Sequence, residues 1–218
     1  MDHSALIVEL PVEQRLALAY ATRQSRPLFL GLFALDARLG AVVRQASEPV
    51  LGQIRLAWWR ERLEAPAGAA VPGEPLLALL GQWQEYRSAL APLADSYELL
   101  LEPETLGPGA IRRFAELRAA ACDALARRLG EAASAAAARR AGQAWAATDL
   151  AGKLSDPAEV EQARTIAGEC DWSRQRLPGS MRPLAVLFGL ARRDKGQQGF
   201  LTGPMSGLAT VRLGLFGV

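Results

Sequence analysis

Apolar positions along this chain recur at helical spacing in almost every segment. Leu28, Leu32, Leu35, Leu39 and Val42 fall on one face of a helix predicted from Leu28 to about Arg44. A preceding helix is predicted from about Val12 to Arg26, ended by Pro27, which either breaks it or opens the next. Ser47-Glu48-Pro49 reads as a helix start, with a hydroxyl to cap, an acid in the first turn and proline near the first helical position. The helix it opens runs through Glu64, with Leu51, Ile54, Trp58 and Leu63 as its buried stripe. The Pro/Gly/Ala-rich stretch from Ala65 to Pro75 predicts an exposed loop. Periodicity resumes from Leu76 to about Leu101, with Pro92 as a kink or a short gap, and a loop at Pro103 to Pro108 follows.

Further helices are predicted from Gly109 to Leu129, closed by Gly130, and from the alanine tract Ala132–Ala138 to about Lys153. So much alanine implies close backbone approach between packed helices, or simply a genome-wide bias. Asp156-Pro157 caps a shorter helix ending near Gly168. The last clear helix spans Met181 to Arg193; Asp194 to Gly207 is glycine-rich loop, and Leu208 to Phe216 one more short helix. Eight or nine helices with short connections make an all-α, single-domain bundle over residues 1–218.

Composition agrees. Half of the 218 residues are hydrophobic, aromatics are 6%, and Val, Ile and Thr are sparse beside Ala and Leu, which disfavours sheet. Twenty-five basic against 23 acidic residues is too even a balance for a nucleic-acid binder. One histidine, His3, and two cysteines, Cys122 and Cys170, without CxxC spacing do not make a zinc site, and no metal ligand set is expected. The early acidic N-terminus lacks an export signal, and no apolar run is long enough to cross a bilayer. The expected place is cytoplasmic or peripheral at the inner membrane.

The run Leu32-Phe33-Ala34-Leu35-Asp36-Ala37-Arg38, followed by Ser47-Glu48-Pro49-Val50-Leu51-Gly52-Gln53-Ile54-Arg55-Leu56-Ala57-Trp58-Trp59-Arg60, resembles the N-terminal part of the squalene/phytoene synthase family. It most resembles a divergent branch that includes complex I assembly factors related to these synthases. The resemblance is specific over about Leu16 to Leu63 and continues, collinear but less specific, through Phe114 to Lys153 and Arg182 to Arg193. It implies a shortened isoprenoid-synthase-like bundle around a central cavity. In the active enzymes two DxxxD-type clusters on facing helices hold the Mg²⁺ that stabilises departing pyrophosphate.

Neither cluster is intact here. The first falls on Gly40, Ala41 and Arg44; the second has Lys153 and Pro157 at its aspartate positions, with Asp156 one place off. The resemblance therefore implies no catalytic residue, no metal and no cofactor in this chain. It implies a protein acting by binding, either to a membrane-protein assembly intermediate or to an isoprenoid-like lipid. The alternative is a divergent prenyltransferase on isoprenoid diphosphates using Asp36, Asp149 and Asp156.

Candidate positions follow. Arg44, Arg55 and Lys153, with Arg62 one helical repeat from Arg55, could bind an anion in place of the metal; the plainer alternative is solvated arginines paired with Glu48 and Glu61. Of Trp58 and Trp59, one packs inside and the other sits at a rim, with Trp59 the candidate partner contact. Asp36, on an apolar helix, needs Arg38 or a cation from another helix, or solvent. Cys122 reads as a small packed hydrophobe.

Overall fold

Local chemistry sets where each helix begins and ends. The computed structural model describes residues 3–66, 73–102 and 105–194, and every regular element among them is helical. Ten α-helices occur: α1 (Ser4–Val8), α2 (Val12–Ala19), α3 (Arg26–Gln45), α4 (Pro49–Glu64), α5 (Pro75–Leu80), α6 (Pro92–Glu98), α7 (Pro108–Arg128), α8 (Ala135–Ala151), α9 (Pro157–Glu169) and α10 (Arg182–Asp194). The all-α expectation holds. The glycine-rich tail and its short helix lie outside the described residues.

α2 stops at Ala19, seven residues earlier than the periodicity suggested. Thr22 and Ser25 form a reciprocal turn there: each side-chain oxygen accepts the other's backbone N–H, at 3.1 and 3.2 Å. Side chains of this type satisfy the backbone outside a helix and so end it. Arg26 Nη1 then donates to the Leu18 carbonyl at 2.9 Å. α9 starts as predicted, with Asp156 accepting from the Ala158 and Glu159 amides at 2.8 and 3.1 Å. Gly130 has φ +80°, and the Glu131 amide reaches the Ala126 carbonyl at 2.8 Å, so the left-handed glycine closes α7. The start of α4 differs from expectation: extended Glu48, not Ser47, occupies the cap position, with no side-chain cap bond. The segment from Leu76 to Leu101 is not one kinked helix. It divides into α5, a 3₁₀ stretch (Gly81–Leu90), α6 and a 3₁₀ turn (Leu99–Leu101), broken at Gln84 (φ 52°) and Pro92.

α3 is the axis of the bundle. Residues 28 to 36 are all buried, more than the single apolar face that the spacing predicted. It packs against α4, α5 and α6, while α8 packs against α7, α9 and α10, around one contiguous core. The α7–α8 hairpin is the closest pairing. Ala119 and Cys122 on α7 face Gly142 on α8, and Ala126, Ala138 and Ala141 are buried on the same two helices. A Cβ placed on Gly142 would lie 2.7 Å from Cys122 Sγ and 3.3 Å from the Ala119 Cα, so the close approach falls at Gly142, beyond the alanine tract, in which Ala132, Ala133 and Ala136 are exposed.

α4 corrects the predicted stripe. It buries Gly52, Leu56, Trp59 and Leu63, whereas Leu51, Ile54 and Trp58 face outward with Val50. The helix carries apolar residues on two faces, so periodicity alone could not choose between them. Gly52 decides the matter: it sits against Leu101, where a Cβ would come within 2.6 Å of a methyl group. No helix among the described residues is long and apolar enough to cross a membrane.

Candidate functional site

Two opposite charges on apolar helix faces meet in the middle of this bundle. Asp36 on α3 is 2% exposed and Arg118 on α7 is equally buried. Arg118 grips the carboxylate with two bonds, Nε to Oδ1 at 2.9 Å and Nη2 to Oδ2 at 2.6 Å. Tyr97 Oη donates to Oδ1 at 2.9 Å and Gln14 Nε2 to Oδ2 at 3.0 Å, so both oxygens of Asp36 are committed. The third arm of the guanidinium, Nη1, donates to Asp149 Oδ2 on α8 at 2.8 Å. Lys153 Nζ donates to the same oxygen at 2.8 Å. The guanidinium carbon lies over two aromatic rings, 4.5 Å from the Trp145 centroid and 5.3 Å from that of Phe114. Such a planar, five-donor cation is the side chain that can serve two carboxylates and two rings together.

Burial and charge pull against each other here. Burial pushes the Asp149 carboxyl up, but Lys153 and Arg118 more than offset it and hold it below its ordinary value of 3.8. Burial, then the neighbouring Asp36, raises the Tyr97 phenol well above its usual range, so it stays a donor. Arg118 is disfavoured as a cation by burial, yet Asp36, Tyr97 and Asp149 raise it well above normal. Glu13 on α2 senses the same charges; burial, then Asp149, pushes its carboxyl up against the pull of Lys153 and Arg118. Burial also drives the Cys122 thiol up to about 12, as suits a packed hydrophobe.

The sign of one consequence follows. A carboxyl whose folded pKa is depressed stabilises the fold above its ordinary pKa and loses that contribution as pH falls through the folded value. Lys153→Met should therefore lower the urea midpoint at neutral pH. The gap between wild type and variant should narrow as pH falls below the ordinary carboxylate range and the depressed Asp149 carboxyl takes up its proton. Urea titrations at several pH values check this; an unchanged gap at low pH would contradict it.

Above this network lies a cavity of about 460 Å³. Tyr97, Phe114 and Asp149 contribute to its wall from the network side, and Val43, Leu99, Leu100, Leu106, Leu150 and Leu154 make it predominantly apolar. Its charged residues are Arg44, Lys153, Asp149, Glu102 and Glu159. Volume and lining fall in the range of small-molecule sites. Arg44 and Lys153, from α3 and the end of α8, thus open onto the same space, as the sequence suggested. Gly40 lines it too: a Cβ there would lie 3.1 Å from Arg44 Nη1 and 3.3 Å from Tyr97 Cε1, so the glycine leaves room for the arginine to lie over the cavity beside the tyrosine.

Other sequence candidates lie elsewhere. Ala41 is half-buried on α3 and Pro157 is the exposed first residue of α9; neither lines the cavity. Arg55 is a correction. It is exposed on α4 and absent from the cavity wall, because α4 packs through the face of Gly52, Leu56, Trp59 and Leu63. Arg62 stacks 6.0 Å over the Trp58 ring instead of facing Lys153. The tryptophans exchange roles: Trp59, the expected partner contact, is 4% exposed, and Trp58 is the accessible one at 37%. Asp36 finds its cation on α7, while Arg38 pairs with Glu9 and Glu74 at 3.0 and 3.4 Å. Arg118 is not among the sequence candidates. Its signal is its register: Ile111, Phe114, Arg118, Cys122 and Leu125 share the apolar face of α7.

The Mg²⁺ that the active synthases hold would not fit these residues. Asp36 has both oxygens occupied by donors, Asp149 is countered by two cations, and Glu159 Oε1 already accepts the Leu106 amide at 2.7 Å. Among the described residues no three His, Cys, Asp or Glu side chains are grouped to hold a metal ion. A hard divalent cation needs several free oxygen donors, and here it would meet arginine and lysine first. No family description, curated protein or solved structure matches the chain. The class that fold and site define is an all-α bundle with an amphipathic cavity over a buried charge network.

Proposed function

We propose that this chain is a non-catalytic relative of the squalene/phytoene synthases, with a shortened form of their fold, that works by binding an isoprenoid-like amphiphile. The observation that carries this is the cavity: an apolar chamber with Arg44 and Lys153 in its wall, above carboxylates already engaged by Arg118, Lys153 and Tyr97. The apolar walls take the prenyl chain, and the two cations take its polar head directly. Of the two binding roles that the resemblance implies, this cavity favours holding a lipid over chaperoning a respiratory-complex intermediate. The competing prenyltransferase reading needs free carboxylates at Asp36, Asp149 and Asp156. Asp156 caps α9, exposed and away from the cavity wall, and the other two are spoken for by cations.

The test uses farnesyl diphosphate and farnesol with and without Mg²⁺. Ligand that binds only the folded state at a hundred times its Kd stabilises it by about 2.7 kcal/mol. The expected result is a raised melting temperature that EDTA does not reverse, no pyrophosphate release, and loss of the shift in Gly40→Leu, whose side chain fills the space beside Tyr97. Magnesium-dependent turnover abolished by Asp149→Asn would overturn the reading in favour of the transferase.

A further inference from the structure

Four of the six large hydrophobic side chains exposed among the described residues lie on one helix. Val50, Leu51, Ile54 and Trp58 of α4 are 58, 44, 60 and 37% exposed, and the spacing 50, 54, 58 puts them in one row. The opposite face of α4 is already buried in the bundle through Leu56, Trp59 and Leu63. A helix apolar on both sides is a helix covered on both sides, so the outer row wants an apolar partner that the chain's described residues do not provide.

The row is short. From Val50 to Trp58 it rises about 12 Å. Four side chains fall well short of the ~800 Å² per partner of a stable interface between proteins. What surrounds the row points elsewhere. Trp58 closes it at one end with the Arg62 guanidinium stacked 6.0 Å over its ring, and Arg55 is exposed alongside. Among the described residues neither arginine, nor Arg44 at the end of α3, has a carboxylate within ion-pair distance, while eleven such pairs form elsewhere among them. The exposed acids nearby are Glu48, which precedes α4, and Glu61 and Glu64 on α4, which follow the row. An apolar strip ended by tryptophan and flanked by uncommitted arginines matches the acyl boundary and anionic headgroups of a bilayer surface.

The row also adjoins the cavity. Gly52, one residue from Leu51, rests on Leu101 and Ala46, and the cavity wall includes Arg44, Leu99, Leu100 and Glu102 from those same two chain segments. We propose that α4 is a membrane-surface docking helix. It lays Val50, Leu51, Ile54 and Trp58 into the interface of an anionic bilayer, with Arg55 and Arg62 on lipid phosphates. The docking rests on the exposed row and its arginines, independently of what the cavity holds.

Co-sedimentation of the full chain with vesicles tests it, using phosphatidylcholine alone and mixed one to one with phosphatidylglycerol. Binding is expected to the mixed vesicles and to weaken with salt. Ile54→Glu should reduce it on the order of 10-fold, and Arg55→Glu and Arg62→Glu about 5-fold each. Ile54 and Arg55 are exposed and Arg62 is half-buried, so the Ile54→Glu and Arg55→Glu variants should match wild type in far-UV circular dichroism and melting, which excludes misfolding as the cause of their loss, and Arg62→Glu counts only where its melting also matches. No binding by the wild type, or binding undiminished by Ile54→Glu, would overturn the proposal. So would a dimer in size-exclusion chromatography that Ile54→Glu dissociates, which would assign the row to a second copy of the chain.

Discussion

Replacing Arg118 by methionine is expected to cost about 3–5 kcal/mol, because it leaves Asp36 and Asp149 buried with their shared cation gone. That is a large share of the ~5–15 kcal/mol that holds a typical domain together, so the variant should sit near its unfolding threshold at moderate temperature. The cause is the charge left behind, not lost packing, since methionine fills much of the same slot beside Phe114 and Trp145. This can be separated experimentally. In Asp36→Asn/Arg118→Met/Asp149→Asn the anions go with the cation, while the new side-chain amide at position 36 keeps its carbonyl for Tyr97 and offers its NH2 to the buried, unpartnered Oε1 of Gln14. The triple variant should regain most of the loss in urea titration. A cost below about 1 kcal/mol for Arg118→Met alone, or no recovery in the triple variant, would show that the pairing matters little to the fold.

Gly142→Ala is the second large effect. Its Cβ would stand 2.7 Å from Cys122 Sγ, 2.9 Å from Cys122 Cβ and 3.3 Å from a backbone atom, Ala119 Cα. Backbone cannot swing aside as a side-chain end can, so α7 and α8 must part along their whole seam. Overpacking of this kind costs about 1–3 kcal/mol, set against the few tenths to one that alanine gains over glycine in a helix. Cys122→Ala in the same chain removes the closest atom and should restore part of the loss. Gly52→Ala makes a useful comparison: its closest approach, 2.6 Å, is to the methyl end of Leu101, which can rotate. The fall in melting temperature should be larger at Gly142. The reverse order would mean that the hairpin is looser than its geometry indicates.

How far the sequence reached depended on whether one pattern had one solution. The cap at Asp156, the stop at Gly130 and the apolar register of α3 each have a local cause, and each was legible. So were Arg44 and Lys153, placed together by a family resemblance and found lining one cavity. α4 was misread because two apolar faces fit the same period, and only contact with Leu101 selects between them. The partner of Asp36 was missed because it lies 82 residues away. A lone acid on one apolar face and a lone arginine on another was the available clue, but only the packing of α3 against α7 turns that clue into a pair.

The charges beneath the cavity have a consequence for how the proposed ligand would arrive. Asp36 and Asp149 against Arg118 and Lys153 sum to nothing, so the chamber's floor projects little field into solvent. The other charges of the cavity wall are Arg44, opposed by Glu102 and Glu159. On the proposed binding role, such a site would not draw its guest across open water; it would discriminate on contact, through fit and short hydrogen bonds. A greasy molecule handed over at close range suits that design better than a charged metabolite captured from bulk solution.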